Sequence, residues 1–175
     1  MQINTVNIKL GVKMGKVISL SNHKGGVGKT CSTVNIGAGI SKHGKHVLLI
    51  DLDPQANLSL SFGIKEAQYH IYGALTGKYN LSTTIHTISD HLQVIPSHLD
   101  LSGAEVELSS ESGREFILRE LIADVRNKYD YILIDCPPSL GLLTLNALTA
   151  SDEVYIPLQA EYLAMQGLAK LTEVI

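Results

Sequence analysis

Cysteine is scarce in these 175 residues. Cys31 and Cys136 are the only two, too few for a disulfide framework and in keeping with a reducing compartment. Basic charge is not in excess either: 14 Lys and Arg face 17 Asp and Glu, for a net charge of −3. That excludes a global field attractive to nucleic acid and leaves only a local patch or a second subunit for such binding. No stretch approaches the roughly 18 consecutive apolar residues of a membrane span. The N-terminus, MQINTVNIKLGVKMGK, lacks the long apolar region of a signal peptide. No membrane partner is therefore expected. Internal repeats and low-complexity tracts are also missing.

What is present suits a globular chain. Hydrophobic residues make up 45% and charged residues 18%, enough to build a core and unlike a disordered segment. The length fits one domain. Met14 precedes the first strong strand, so residues 1–13 read as an N-terminal extension and residues 14–175 as the domain.

Short apolar runs alternate with helical patterns. Lys16–Leu20 reads as a buried strand that opens into glycine-rich sequence. Thr30–His43 reads as a helix from the pairs Val34/Ala38 and Ile36/Ile40, each four apart. Gly37 and Gly39 weaken that helix by propensity, and their benefit would be close approach to a neighbour. Gly44 is its expected C-cap, and Val47–Ile50 is the next strand, which completes a right-handed parallel crossover. Residues 54–90 carry no clear period and are expected to form short helices and loops. Leu92–Ile95, Tyr131–Ile134 and Glu153–Ile156 read as further strands. Leu101–Leu108, Glu115–Asn127 and Gly141–Ala150 read as helices, the second with a buried stripe of Ile117, Leu121 and Val125. A last helix is expected from about Leu163. The pattern predicts an α/β three-layer sandwich, a mostly parallel twisted sheet with helices on both faces. The sequence ends inside that last helix, so the sheet is expected to continue beyond it.

The segment Ser21-Asn22-His23-Lys24-Gly25-Gly26-Val27-Gly28-Lys29-Thr30 lies between the first strand and the first helix. It approaches the phosphate-loop pattern G-x-x-x-x-G-K-[ST]. The Gly28-Lys29-Thr30 end is intact, His23 replaces the first glycine, and Lys24 is added ahead of Gly25-Gly26. Glycines let backbone N–H groups converge on an anion, and the helix N-terminus adds positive potential. Lys29 can reach the β- and γ-phosphates of a nucleotide and the Thr30 hydroxyl can ligate magnesium.

Carboxylates follow two of the strands, at Asp51-Leu52-Asp53 and at Asp135. Ligands of parallel sheets sit at the carboxyl ends of strands, which would gather Thr30, Asp51, Asp53 and Asp135 around one crevice. Asp53 is the candidate to orient a water, and Asp135 suits a magnesium shell. For Asp51 the choice between this crevice and a purely structural cap stays open. Cys31 and Cys136 read as small thiols rather than cluster ligands, and no histidine pairs with a carboxylate in a zinc motif.

Lys24–Thr30 resembles the deviant Walker A motif of the ParA/MinD ATPases. Asp51-Leu52-Asp53-Pro54-Gln55-Ala56-Asn57 is similar to their switch I, and Tyr129–Leu140 to their Walker B and switch II. Thr144–Thr149 and Val154–Leu168 resemble the ParA/Soj partition branch. His23 stands where that family often has glutamine. The resemblance implies ATP and Mg²⁺ as ligands, held by Lys24, Gly25, Gly26, Val27, Gly28, Lys29, Thr30 and Cys31. The metal would lie near Thr30, Asp53 and Asp135, and Lys24, Lys29 and Asp53 would carry catalysis. It further implies a homodimer glued by ATP, with Lys24 reaching the partner's nucleotide. It also implies non-specific DNA binding, slow hydrolysis stimulated by a ParB-like partner, and a cytoplasmic, nucleoid-associated location. Family members run well beyond this length, and their last third carries the DNA-binding residues, so that surface is expected outside this sequence. The competing expectation is a MinD-like membrane-associated positioning ATPase, which needs a C-terminal amphipathic helix. A nitrogenase-type redox role would require cluster cysteines, and a small-molecule kinase would require an acceptor site; neither is visible.

Overall fold

The computed structural model describes residues 14–159. Five strands are parallel and one is antiparallel, and the sheet order is β3-β4-β2-β5-β1-β6. In chain order the elements are β1 (Lys16–Leu20), α1 (Lys29–Lys42), β2 (Val47–Asp51), α2 (Asn57–Ser61), α3 (Ile71–Leu75), β3 (His86–Ser89) and β4 (Leu92–Ile95). They continue with α4 (Ala104–Glu107), α5 (Ile117–Ala123), β5 (Tyr131–Asp135), α6 (Leu142–Ala150) and β6 (Glu153–Tyr155).

The central strands are uniformly apolar because both faces are covered. Leu48 and Ile50 of β2 join the cluster that contains Leu118, Ile122 and Ala147 of α5 and α6. Val47 and Leu49, on the opposite pleat, join Ile18, Leu20 and Leu133, against which Val34, Ala38 and Ile40 of α1 pack. Successive side chains of one strand thus feed two cores, and the expected three layers follow.

The first βαβ unit is close to expectation. β1 has the predicted bounds, α1 starts one residue early at Lys29, and β2 and β5 each extend by one residue, to Asp51 and Asp135. Gly28 precedes α1 with φ of 91°, and Gly44 follows its end with φ of 72°. A Cβ at Gly37 would lie 2.5 Å from Leu49 Cδ2, so this glycine does allow α1 to approach β2 closely. Gly39 faces open space, and no such contact explains it.

Other expectations need correction. Residues 101–108 form a broken helix, with 3₁₀ turns at Leu99–Gly103 and Leu108–Ser110 flanking α4. The helix expected over 115–127 is likewise α5 between two 3₁₀ turns, Arg114–Phe116 and Arg126–Lys128. Its buried positions are Leu118, Ile122 and Val125, while Ile117 and Leu121 are only half-buried. The tighter 3₁₀ entry turn rotates the face relative to a continuous α-helix, and Asn146 Oδ1 fixes the phase by accepting from the Leu118 amide at 3.0 Å. Strand β3 (HTIS) lies where short helices and loops are expected. It pairs antiparallel with β4 through a bulge and is largely exposed, so it shows no apolar run. The expected helix from Leu163 and the residue 1–13 extension lie outside the described residues.

The glycine pair gives a direct test of the packing. Gly37→Val should cost about 1–3 kcal/mol by overpacking against Leu49. Gly39→Ala should gain about 0.5–1 kcal/mol through helix propensity. Urea unfolding of both variants checks the opposite signs.

Candidate nucleotide site

Parallel pairing aligns three strand tips. Leu20 of β1 and Asp51 of β2 both lie opposite Asp135 of β5. The glycine loop leaves β1 at this edge. Buried Asn22 organises its start: its Oδ1 accepts from the Lys24 amide at 3.0 Å, and its Nδ2 donates to the Pro157 carbonyl at 2.8 Å. Gly26 and Gly28 take φ of 72° and 91°, which side chains rarely adopt. A Cβ at Gly25, Gly26 or Gly28 would meet nothing within 4 Å, and all three line the cleft described below, so a ligand there can approach the loop's backbone N–H groups.

Lys29 is buried, and its ammonium donates to the carbonyls of Asn22 at 3.0 Å and Lys24 at 3.3 Å. Burial lowers its pKa, while Asp135 and Asp53 pull the other way. Asp135 is buried too, and burial pushes its carboxyl up to about 7 despite a Thr30 hydrogen bond and the nearby Lys29. Its Oδ1 is 3.5 Å from Thr33 Oγ1, and its Oδ2 is buried with no hydrogen-bond partner. A buried, orphaned carboxylate oxygen beside a threonine hydroxyl and an ammonium group suits a site completed by a cation and an anion.

A cleft of about 800 Å³ opens above these groups. Of the expected residues, Gly25, Gly26, Gly28, Lys29, Thr30, Cys31 and Asp53 line it. Val27 and Asp135 do not line it: Val27 is packed into the protein, and Asp135 is buried at the tip of β5. Lys24 is not among the lining residues, and its ammonium is 3.5 Å from Gln159 Oε1. Asn57 and Pro138, from the segments that resemble switch I and switch II, also line the cleft, as do Val34 and Asn35 of α1 and Leu60 and Ser61 of α2. Val34 and Asn35 lie about one turn beyond Thr30, a spacing readable in the sequence. Leu60 and Ser61 carry no such signal.

The open alternative for Asp51 resolves toward structure. It is fully buried, its Oδ2 accepts from the Ser59 amide at 2.9 Å and the Ser59 hydroxyl at 2.7 Å, and its Oδ1 accepts from the Asp53 amide at 3.2 Å. Burial raises its pKa to about 6 against those hydrogen bonds. Among the described residues no group of three or more His, Cys, Asp and Glu side chains is placed to hold a metal ion. A magnesium ion here would be held by Asp135, Thr30 and phosphate oxygens, as its octahedral demands favour. Burial pushes the Cys136 thiol up, which suits an inert core thiol.

The AAA_31 family, an AAA domain, matches residues 15–175. The chain belongs to this family. It is 48% identical over 163 residues to the chromosome-partitioning ATPase Soj of Treponema pallidum, a match covering 93% of this chain and 64% of that protein. The chain thus spans less than two thirds of that curated relative. A Mycobacterium smegmatis cobyrinic acid a,c-diamide synthase structure with ADP and magnesium superposes with a TM-score of 0.89 at 39% identity, covering 93% of this chain and 67% of that one. A putative plasmid partition protein from Borrelia burgdorferi bound to AMPPNP gives a TM-score of 0.83 at 34% identity, covering 93% and 70%. The AAA_31 chain is therefore akin to the ParA/Soj partition ATPases that its motifs resemble, and its sheet is of the P-loop type. Among the described residues no helix is long and apolar enough to cross a membrane.

The raised pKa of Asp135 has a signed consequence. The folded protein binds this proton more tightly than the unfolded chain, whose carboxyl titrates near 3.8. Its contribution to stability is therefore fully present below about pH 4 and lost as pH rises through about 7. In ligand-free protein the wild type should lose stability relative to Asp135→Asn across that window, by at most about 1.4 kcal/mol per pH unit. Urea melts of both proteins at several pH values measure the difference.

Proposed function

We propose that residues 14–175 form the ATPase domain of a DNA-partition switch that binds ATP with Mg²⁺ and hydrolyses it slowly. The observation that carries this reading is the glycine cradle opposite a buried Asp135 whose Oδ2 lacks a partner. The nucleotides named in the related M. smegmatis and B. burgdorferi structures agree with it.

In this reading the loop amides from Gly25 to Thr30 bind the phosphates, together with Cys31 at the start of α1. Lys29 leaves the carbonyls of Asn22 and Lys24 to neutralise the β- and γ-oxygens. The Thr30 hydroxyl and Asp135 would hold the metal, with Asp53 close by. Magnesium, when bound, supplies charge neutralisation along the triphosphate. Asp53 projects from the tip of β2 into the cleft and orients the attacking water. Lys24 acts on the nucleotide of a second subunit, in keeping with its place outside the lining of its own cleft. ATP then sets the assembly state: a triphosphate joins two subunits, and hydrolysis releases them. The dimer binds DNA without sequence preference on the nucleoid in the cytoplasm, and a ParB-like partner accelerates the reset.

Full-length protein tests the roles separately. Asp53→Ala should keep nucleotide uptake and lose turnover by about 10²-fold or more. Lys24→Ala should bind nucleotide as a monomer yet form no ATP dimer. Normal turnover and normal ATP dimers in both would refute the assignment. ATP-dependent retention on DNA, with none on liposomes, is the expected result; the reverse would move the protein to the membrane-positioning branch.

A further inference from the structure

The segment that joins β2 to α2 begins and ends on one carboxylate. Asp51 receives the Asp53 amide on Oδ1 and both the amide and hydroxyl of Ser59 on Oδ2, at 3.2, 2.9 and 2.7 Å. Ser59 is buried, and its hydroxyl also accepts from the Ser97 amide just beyond β4, at 3.0 Å. One hydroxyl therefore ties α2 both to the tip of β2 and to the tip of β4, with each bond inside the protein.

Between the two anchors the chain is tightly wound. The Gln55 amide donates to Asp53 Oδ1 at 3.0 Å, and the Ala56 amide donates to the Asp53 carbonyl at 2.9 Å. Ala56 has φ of 54°, the one non-glycine at positive φ among the described residues. Such a backbone persists only where its surroundings over-determine it. Asp53 at the start of this segment and Asn57, Leu60 and Ser61 around Ser59 all line the cleft. A shift of Ser59 would therefore move the cleft wall and Asp53 together.

We propose that Ser59 is a positioning residue for hydrolysis, acting through Asp53. The proposal rests on the water-orienting role assigned to Asp53 above. Without the Ser59 hydroxyl, Asp51 keeps a single donor on Oδ2 and the Ser97 amide loses its acceptor in a buried place. The segment must then rearrange to satisfy both groups. Misplacing a catalytic group by about 1 Å can cost up to about 10²-fold in rate, while the phosphate cradle, built from β1 and α1, is left intact.

The experiment measures ATP turnover and AMPPNP binding in full-length protein for Ser59→Ala, Ser59→Thr, Asp53→Ala and the Ser59→Ala/Asp53→Ala pair. Ser59→Ala should lower kcat by about tenfold with nucleotide affinity nearly unchanged, and Ser59→Thr, which keeps the hydroxyl, should recover most of it. The double variant should turn over no more slowly than Asp53→Ala alone, because one change acts through the other. Wild-type kcat in Ser59→Ala, or an extra loss in the double variant, overturns the proposal. Normal turnover in Asp53→Ala instead overturns the underlying reading of Asp53, so the two failures are distinct. Hydrogen exchange in the wild type needs no substitution: the Asp53, Ser59 and Ser97 amides should open as one unit, and independent opening contradicts the clamp.

Discussion

Two carboxylates lie side by side at the buried edge of the sheet, Asp51 on β2 and Asp135 on β5, held there by the register of the parallel pair. Each is almost fully desolvated and each has a raised pKa. Burying two acids in adjacent strands costs free energy unless each finds partners. Asp51 finds them within the protein, in Ser59 and the Asp53 amide. Asp135 finds only part of what it needs, in the hydroxyls of Thr30 and Thr33 and the nearby Lys29. The same local chemistry therefore yields a closed structural site at one tip and an open one at the next, and the open one faces the glycine loop.

That asymmetry organises the surroundings. The loop bends through Gly26 and Gly28 and leaves space outside its backbone. Lys29 folds back on the carbonyls of Asn22 and Lys24. α1 approaches β2 closely at Gly37, and its N-terminus begins directly after the loop at Lys29. The two apolar cores on either face of β2 fix the strand positions on which this alignment depends.

Much of this was legible in the sequence, for identifiable reasons. Strands buried on both faces leave unbroken apolar runs, so β1, β2, β4 and β5 were readable to within a residue. The phosphate loop was readable because few other functions call for glycines followed by Gly28-Lys29-Thr30 between a strand and a helix. β3 was not legible because its side chains are mostly exposed. The buried face of α5 was displaced by its 3₁₀ entry, which leaves no mark in the apolar period. The cleft wall formed by α2 was hidden because the segment is short and anchored by polar groups, Asp51 and Ser59, rather than by an apolar stripe. The structural role of Asp51 follows from the fold that brings Ser59 onto its carboxylate, a contact eight residues away that no sequence motif marks.

The most direct test of the central claim is calorimetric titration of intact, folded protein with AMPPNP, with and without magnesium, alongside Lys29→Ala. The account predicts one nucleotide per chain, tighter binding when magnesium is present, and loss of binding in Lys29→Ala. No uptake of magnesium nucleotide by the wild type, or equal uptake by the variant, would contradict it.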